Sequence, residues 1–529
     1  MTKFVNLLLL VLSIVVAIQP YKILIYNPKF GHSHVQYASL IADALVDAGH
    51  EVVVLVVDMD LDIKHKGAKK ARIYQIEPNL EAVRLLTLNP LKDQMWNMTD
   101  DPITQFNMFE TFFRAQELTR SSIIRDKHLT DFVLKEKFDF AYTEVFNIYM
   151  VAMFKVWNIP AFSVGAATCL QESHYGLFGV AHSASYMPVM MSNYLDKMNY
   201  GERAKNLASF IFSKLFFAYN RERFMGEREV NAIYGKDFFN GEKDLQDASF
   251  FFINSHPFLE FPSPKAPKMI EISGMGMPEP QELSIYWTGI LNKRKDTILI
   301  SFGSLAKSSK MPSQMQKAIV EVIKSMPNAT FVWKYETPED GVIEKVDNLV
   351  LSKWVPQNDL LNHEKLSMFI THGGMNSITE LAYRAKSALV IPIFGDQIHN
   401  AALVTRANIG VVMDKADLIH PFKLKEYILK VLHNEEIKAS SLQLSKMLNN
   451  RPISSKELLV KHIEFACEFK KLPMLDLESK NQSFIVYYLL DIIVPFILTL
   501  LALIYISFKV VAKLISVIFN LRSVKVKSD

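Results

Sequence analysis

The sequence predicts an α/β protein: two doubly wound parallel-sheet domains facing each other across a cleft, then one apolar helix near the C-terminus. Three observations predict it. Short apolar strands alternate with helical periodicity along two stretches of chain. A run rich in proline and charge, residues 276–296, separates those stretches. An apolar segment at 484–508 is long enough to cross a bilayer.

Composition narrows the class. At 529 residues the chain exceeds what one core holds, and 50% hydrophobic with 22% charged residues excludes a disordered chain. The net charge of +4 comes without a basic block interleaved with aromatics, which sets nucleic acid aside as a partner. Only Cys169 and Cys467 occur, so there is no disulfide framework and no metal site built mainly from cysteines.

The elements follow in order. "MTKFVNLLLLVLSIVVA" has the charged start, short apolar run and small residues of a signal peptide, placed at 1–19. In the N-terminal domain, 20–275, "YKILIY" is a strand, a helix spans His34 to Ala48 with Gly49 at its end, and "EVVVLVV" is the next strand. "FDFAYTEV", "AFSVGA", "FFINS" and "MIEISG" continue the sheet. Residues 170–240 are rich in Phe, Met and Tyr and mostly helical in pattern, fitting either a helical core or a wall for an apolar ligand.

Beyond the linker, 297–453 alternates again: "TILISFGS", a helix near 312–326, "ATFVWKY", "NLVLSKWVP", "KLSMFITHGG", a helix from about 375, "ALVIPIF" and a helix from about 397. An amphipathic helix in 454–483 leads toward the membrane segment. After 508 come Lys509, Lys513, Arg522, Lys525 and Lys527 against the single acid Asp529. The positive-inside rule then makes 509–529 cytosolic and the body lumenal, a single-pass type I membrane protein. The closing "KVKSD" resembles a dilysine signal for retrieval to the endoplasmic reticulum, and sequons at Asn97, Asn328 and Asn481 lie on the lumenal side.

Ligands of doubly wound sheets bind beyond the C-terminal strand ends. There "FITHGGMNSITE" runs from strand into helix. The glycines, Gly374 among them, allow close approach, and the helix start presents unpaired N–H groups to an anion, most naturally a phosphate. His372, Asn376 and Ser377 add donors. Glu380 would repel a phosphate but suits the paired hydroxyls of a ribose, which implies a nucleotide. Trp354 can stack a base and Gln357 can meet its edge. Asp396 and Gln397 suit sugar hydroxyls, and Ser304 can supply another phosphate donor.

"WVPQ", "HGGMNSITE" and "PIFGDQ", between 354 and 397, resemble the signature of UDP-glycosyltransferases, and the layout of the whole chain is similar to animal membrane UDP-glucuronosyltransferases. The resemblance implies a GT-B fold whose C-terminal domain holds a UDP-sugar. In it, Trp354 and Gln357 meet uracil, Glu380 meets ribose, and Ser304, His372, Asn376 and Ser377 meet the pyrophosphate. Asp396 and Gln397 meet the transferred sugar.

Inverting transfer needs a base for the acceptor hydroxyl, and "NPKFGHSHVQY" offers His32 and His34 at the rim. The family spacing selects His34, fifteen residues before Gly49, with His32 as runner-up. The family's orienting aspartate falls on Glu144, five residues after Asp139, so a glutamate stands in its place. "DMD" at 58–60 is similar to the metal-holding triplet of another glycosyltransferase fold but sits far from the nucleotide motif. No metal and no other cofactor is expected. The donor stays open between UDP-glucuronic acid and UDP-glucose, the membrane anchor and the apolar acceptor-side segment point to a small lipophilic acceptor, and a homo-oligomer stays open. The alternative is a catalytically silent, membrane-anchored protein that binds nucleotide and lipophile, which the Glu144 departure favours.

Overall fold

The computed structural model describes residues 20–98, 102–275 and 277–525; the predicted signal segment and residues 526–529 lie outside them. The chain divides into a body ending at Leu475 and a C-terminal unit from Asp476.

The body holds two parallel sheets. The first comprises β1 (Lys22–Tyr26), β2 (Glu51–Val57), β3 (Arg72–Ile76), β4 (Phe140–Glu144), β5 (Phe162–Ala166), β6 (Phe251–Ile253) and β7 (Met269–Glu271). Its order is β3-β2-β1-β4-β5-β6-β7. The second comprises β8 (Asp296–Ser301), β9 (Ala329–Lys334), β10 (Leu349–Ser352), β11 (Leu366–Thr371), β12 (Ala388–Val390) and β13 (Gly410–Val412), in the order β10-β9-β8-β11-β12-β13. Central strands are apolar without alternation because both faces are covered: every residue of β4 and β5, and all of β2 after Glu51, is buried. Each sheet grows outward in both directions from its first strand. The helices that follow β1 and β4, and likewise β8 and β11, therefore leave on opposite faces and open a crevice between those strand ends.

Three segments depart from the expectation. Within 276–296 the helix Ile285–Leu291 forms, and Ile290 and Leu291 pack into the second domain's core; beyond the prolines the helical spacing takes over. The helix Ser455–Phe469, expected to lead toward the membrane, packs Leu459, Val460 and Ile463 in one core with Ile23 and Val54 of the first sheet and Phe250 just before β6. Its apolar stripe is the missing cover of that sheet, and Ser249 Oγ donates to the Lys470 carbonyl at 2.8 Å just past its end. Finally, the helix Tyr200–Tyr219, in the aromatic-rich stretch, buries only Asn206 and turns large apolar side chains outward.

The two sheets meet within the body. Trp96 of the first domain lies in the second domain's core, edge-on to Phe302 at 5.0 Å, with its indole N–H donating to the Lys307 carbonyl at 2.9 Å. The loop carrying Ser304 is thereby braced from the opposite domain.

In the C-terminal unit, Leu489 takes a left-handed conformation (φ 53°) and a continuous helix runs Leu490–Lys525. It starts later than the predicted 484 and passes 508 without a break, because Lys509 and Lys513 are themselves good helix formers. Its apolar part, Leu490–Asn520, spans 31 residues, about 45 Å at ~1.5 Å per residue, more than a bilayer core requires.

Ile463→Ala should lower the unfolding free energy by about 2–5 kcal/mol, because the side chain is fully buried against the first sheet. Urea titration followed by tryptophan fluorescence measures it. An unchanged midpoint would mean the helix is only a tether.

Candidate active site

At the first sheet's crevice, β1 ends and the helix His32–Asp47 begins, with His34 in its first turn. Glu144 is the last residue of β4, the neighbouring strand. The register brings them together: His34 Nδ1 stands 2.7 Å from Glu144 Oε1 and 2.9 Å from Oε2. Glu144 is buried, and its Oε1 also accepts from the Ala167 amide at 3.2 Å. With Nδ1–H held by a carboxylate, the neutral imidazole keeps its lone pair on Nε2. Gly31 is required for this placement, since a Cβ there would sit 2.9 Å from His34 Cδ2.

Burial alone would lower the His34 pKa. The Glu144 carboxylate, by charge and by hydrogen bond, outweighs it, and Asp396 of the second domain adds to the effect, so the imidazole is held above its ordinary 6.5. Asp396 is in turn raised by burial, against the pull of the Asn400 amide, His34 and His399. The two domains thus bring their charged groups to one place. His32 lies at the surface, where partial desolvation of its ring, then Lys334, lowers its pKa; no carboxylate holds it among the described residues.

At the second crevice, β8 leads to Ser304 and β11 leads to His372. The His372 ring is wedged between two glycines: a Cβ on Gly303 or on Gly374 would lie 2.7 Å from it. Burial, then Lys334, lowers its pKa to about 4, so it is neutral at physiological pH. Its Nδ1 is buried without a hydrogen-bond partner among the described residues. Gly373 takes φ +85°, which lets the chain turn into the helix Met375–Tyr383, whose N-terminus faces the same rim.

The other expected residues line this rim. Trp354 is 70% exposed, and a large aromatic that free of cover has a face available for stacking. Gln357 donates to Glu380 at 2.6 Å and to Ser377 Oγ at 3.2 Å, joining three predicted contacts into one platform and engaging the Ser377 hydroxyl there. Burial raises the Glu380 carboxyl, while Gln357 and Arg384 draw it down. Asn376 accepts from Asn254 of the first domain at 3.4 Å. Gln397 is buried, with its side-chain oxygen taken by the Ile393 and Phe394 amides at 2.8 and 3.2 Å, so its first task is shaping the loop that carries Asp396. Ser304 is exposed at the rim. The "DMD" acids are engaged elsewhere: Asp58 pairs with Lys29 at 2.8 Å and Asp60 with Lys92 at 2.6 Å.

Sequence reasoning missed two groups. Lys334, the last residue of β9, donates to the Gly303 carbonyl at 2.6 Å, stands 5.7 Å from the Trp354 ring and depresses both His372 and His32. A lysine closing the otherwise apolar run "ATFVW" was its signal. The second group packs on His34: Phe30 at 4.7 Å and Phe146 at 5.3 Å between ring centroids, with Phe112 touching both. All three are half-buried, and they come from separate segments that only the fold assembles.

Residues 22–525 match the family described as UDP-glucoronosyl and UDP-glucosyl transferase. The chain belongs to this family. The Caenorhabditis elegans protein ugt-56 is 27% identical over 86% of the chain and 88% of its own length. The mouse UDP-glucuronosyltransferase 1A9 is 26% identical over 90% and 89%. Among solved structures, the glycotransferase of kitacinnamycin superposes with a TM-score of 0.55 at 15% identity, over 84% of this chain and 98% of that one. The paired sheets are therefore a GT-B arrangement, and the chain is an enzyme whose reaction class is sugar transfer from a UDP-sugar.

Gly374→Ala tests the histidine cradle. At φ −60° alanine brings no backbone strain, so the substitution acts through its Cβ, which would stand 2.7 Å from the His372 ring and displace it. With His372 meeting the pyrophosphate as the resemblance implies, UDP affinity by titration calorimetry should fall about tenfold.

Proposed function

We propose that the enzyme transfers a sugar with inversion from a UDP-sugar, either UDP-glucuronic acid or UDP-glucose, to a hydroxyl of a small lipophilic acceptor, with His34 as general base. The two-oxygen contact of Glu144 on His34 Nδ1 carries this reading. It also removes the support that the Asp-to-Glu departure lent to a silent binding protein, because the longer side chain reaches the imidazole.

In the proposed step the acceptor oxygen attacks the anomeric carbon, its proton passes to His34 Nε2, and the bond from the anomeric carbon to the UDP oxygen breaks. Glu144 stabilises the imidazolium so formed. Phe30, Phe112 and Phe146 seat the apolar acceptor beside that nitrogen. The departing diphosphate is met by the N-terminus of the Met375 helix, by His372 and by the Lys334 ammonium, with Ser304 and Asn376 at the rim. Trp354 stacks on uracil, Gln357 and Glu380 hold the ribose end with Ser377 behind them, and Asp396 with Gln397 orients the sugar. No metal or other cofactor takes part in this scheme. The apolar start of the Leu490–Asn520 helix anchors the enzyme in the membrane, the basic segment from Lys509 on is cytosolic, and the body lies in the lumen of the endoplasmic reticulum, where exposed Asn97, Asn328 and Asn481 are open to glycosylation.

Variants, a donor panel and a pH profile test this. His34→Ala should cost about 10²–10⁴-fold in kcat while UDP binds as before, and a panel of UDP-glucuronic acid, UDP-glucose and UDP-galactose identifies the donor. Full activity in His34→Ala would end the proposal. The pH profile has a defined sign. His34 must be unprotonated to act and its pKa is raised, so kcat/KM is full above that pKa and falls as pH drops through it, with a midpoint above 6.5. Glu144→Gln removes the carboxylate charge, so the midpoint should move to lower pH while the plateau falls. Lys334→Ala should weaken UDP binding at least tenfold, and prolonged chelation should leave turnover unchanged.

A further inference from the structure

The helix Tyr200–Tyr219 is amphipathic the wrong way round for a soluble surface. Tyr200, Leu207, Ile211, Phe212, Leu215 and Tyr219 are between 46% and 84% exposed. At about 100° per residue they share one arc, and alanines at 204, 208 and 218 fill the places between. The polar contacts lie on the inner face. Asn206 is fully buried, accepts from the Val189 amide at 3.0 Å and donates to the Met187 carbonyl at 2.9 Å; Ser213 donates to Glu172 at 2.5 Å. The outward arc is bordered by cations alone: Arg203 and Lys214 along one side, Lys205 along the other, all exposed. Glu202, the helix's one acid, is turned away and closes the N-terminal capping box with Asn199.

We propose that this helix lies in the plane of an anionic bilayer surface, as a second, peripheral contact of the enzyme with lipid. The proposal rests on Leu490–Asn520 being a membrane anchor, since a covalent tether makes a weak surface contact an intramolecular event. Lipid is the occupant that the arc's chemistry selects. Aliphatic and aromatic side chains enter the acyl boundary, tyrosines at both ends suit the headgroup level, and lysine and arginine borders meet lipid phosphates and carboxylates.

The contact also feeds the site. Phe216, on the same helix, touches Phe113 at 6.1 Å between ring centroids; Phe113 touches Phe112 at 6.0 Å, Phe112 touches Phe30 at 5.2 Å, and Phe30 touches His34 at 4.7 Å. These ring contacts link the lipid-facing helix to the proposed base, and an enzyme held on the bilayer by this helix meets lipophilic acceptors where they concentrate.

The test uses the full chain in phosphatidylcholine vesicles, with and without phosphatidylserine. Cys169 and Cys467 are buried, so a fluorophore can be placed by Leu207→Cys or Leu215→Cys, with Lys317→Cys on the other domain as control. Brominated lipid should quench the first two labels at least threefold more than the control. Phosphatidylserine should deepen that quenching, and the triple variant R203E/K205E/K214E should cancel the deepening. Leu207→Glu with Leu215→Glu should lower kcat/KM more than fivefold for an acceptor dissolved in the vesicles and leave that for a water-soluble phenol unchanged. Equal quenching at all three labels overturns the proposal, as does quenching that follows protein density instead of bromine, which would make the arc a contact between copies. Carbonate extraction of the same vesicles reports the anchor separately: release of the protein refutes the anchor, whereas label quenching before extraction decides the helix.

Discussion

The constraint on which everything else depends is the reversal of strand order in each sheet. Where β1 lies between β2 and β4, and β8 between β9 and β11, consecutive crossovers leave on opposite faces, and no helix can cover the gap between the two strand ends. His34 and Glu144 stand at the first gap, Ser304 and His372 at the second. Neither pair is close in sequence. Each is assembled because parallel pairing fixes where neighbouring strands end, to within a residue.

Burial then sets the charge state of the groups held there. His34 and His372 are both histidines at strand ends, yet they are pushed in opposite directions. A carboxylate partner outweighs desolvation for His34, while His372 has only desolvation and a nearby ammonium. One imidazole is biased toward accepting a proton. The other stays neutral, and its Nδ1 has no hydrogen-bond partner among the described residues. Two histidines with separated tasks follow from what stands within a few ångströms of each.

Much of this was legible in the sequence, for a physical reason. Buried parallel strands are continuous apolar runs, so "EVVVLVV" and "FITHGG" declare both a strand and its end, and strand ends are where ligands go. What stayed hidden was non-local. The Ser455 helix has an apolar stripe, but a stripe does not say which sheet it covers. Phe30, Phe112 and Phe146 are unremarkable singly and form a wall only when three segments converge. The Tyr200 helix shows the limit most clearly, because its periodicity indicates a helix with an apolar face but not whether that face turns inward. Asn206, a polar residue at a buried position, is the one local sign that the helix is inverted.

The glutamate at 144 shows how a departure from the family pattern is absorbed. One more methylene should cost precision, since a longer side chain has another torsion to immobilise. Here the backbone around it supplies the immobilisation. Glu144 pairs in register with Gly165, and the Ala167 amide just beyond takes hold of Oε1 at 3.2 Å, so the carboxylate is gripped from the neighbouring strand before it meets the imidazole. Gly165 cannot acquire a side chain to crowd that arrangement, because a Cβ would collide with the Tyr142 hydroxyl at 2.0 Å. The extra length is used to bring both oxygens onto Nδ1. What the geometry supplies is a buried, oriented carboxylate against that nitrogen, held by a second hydrogen bond from the adjacent strand's end.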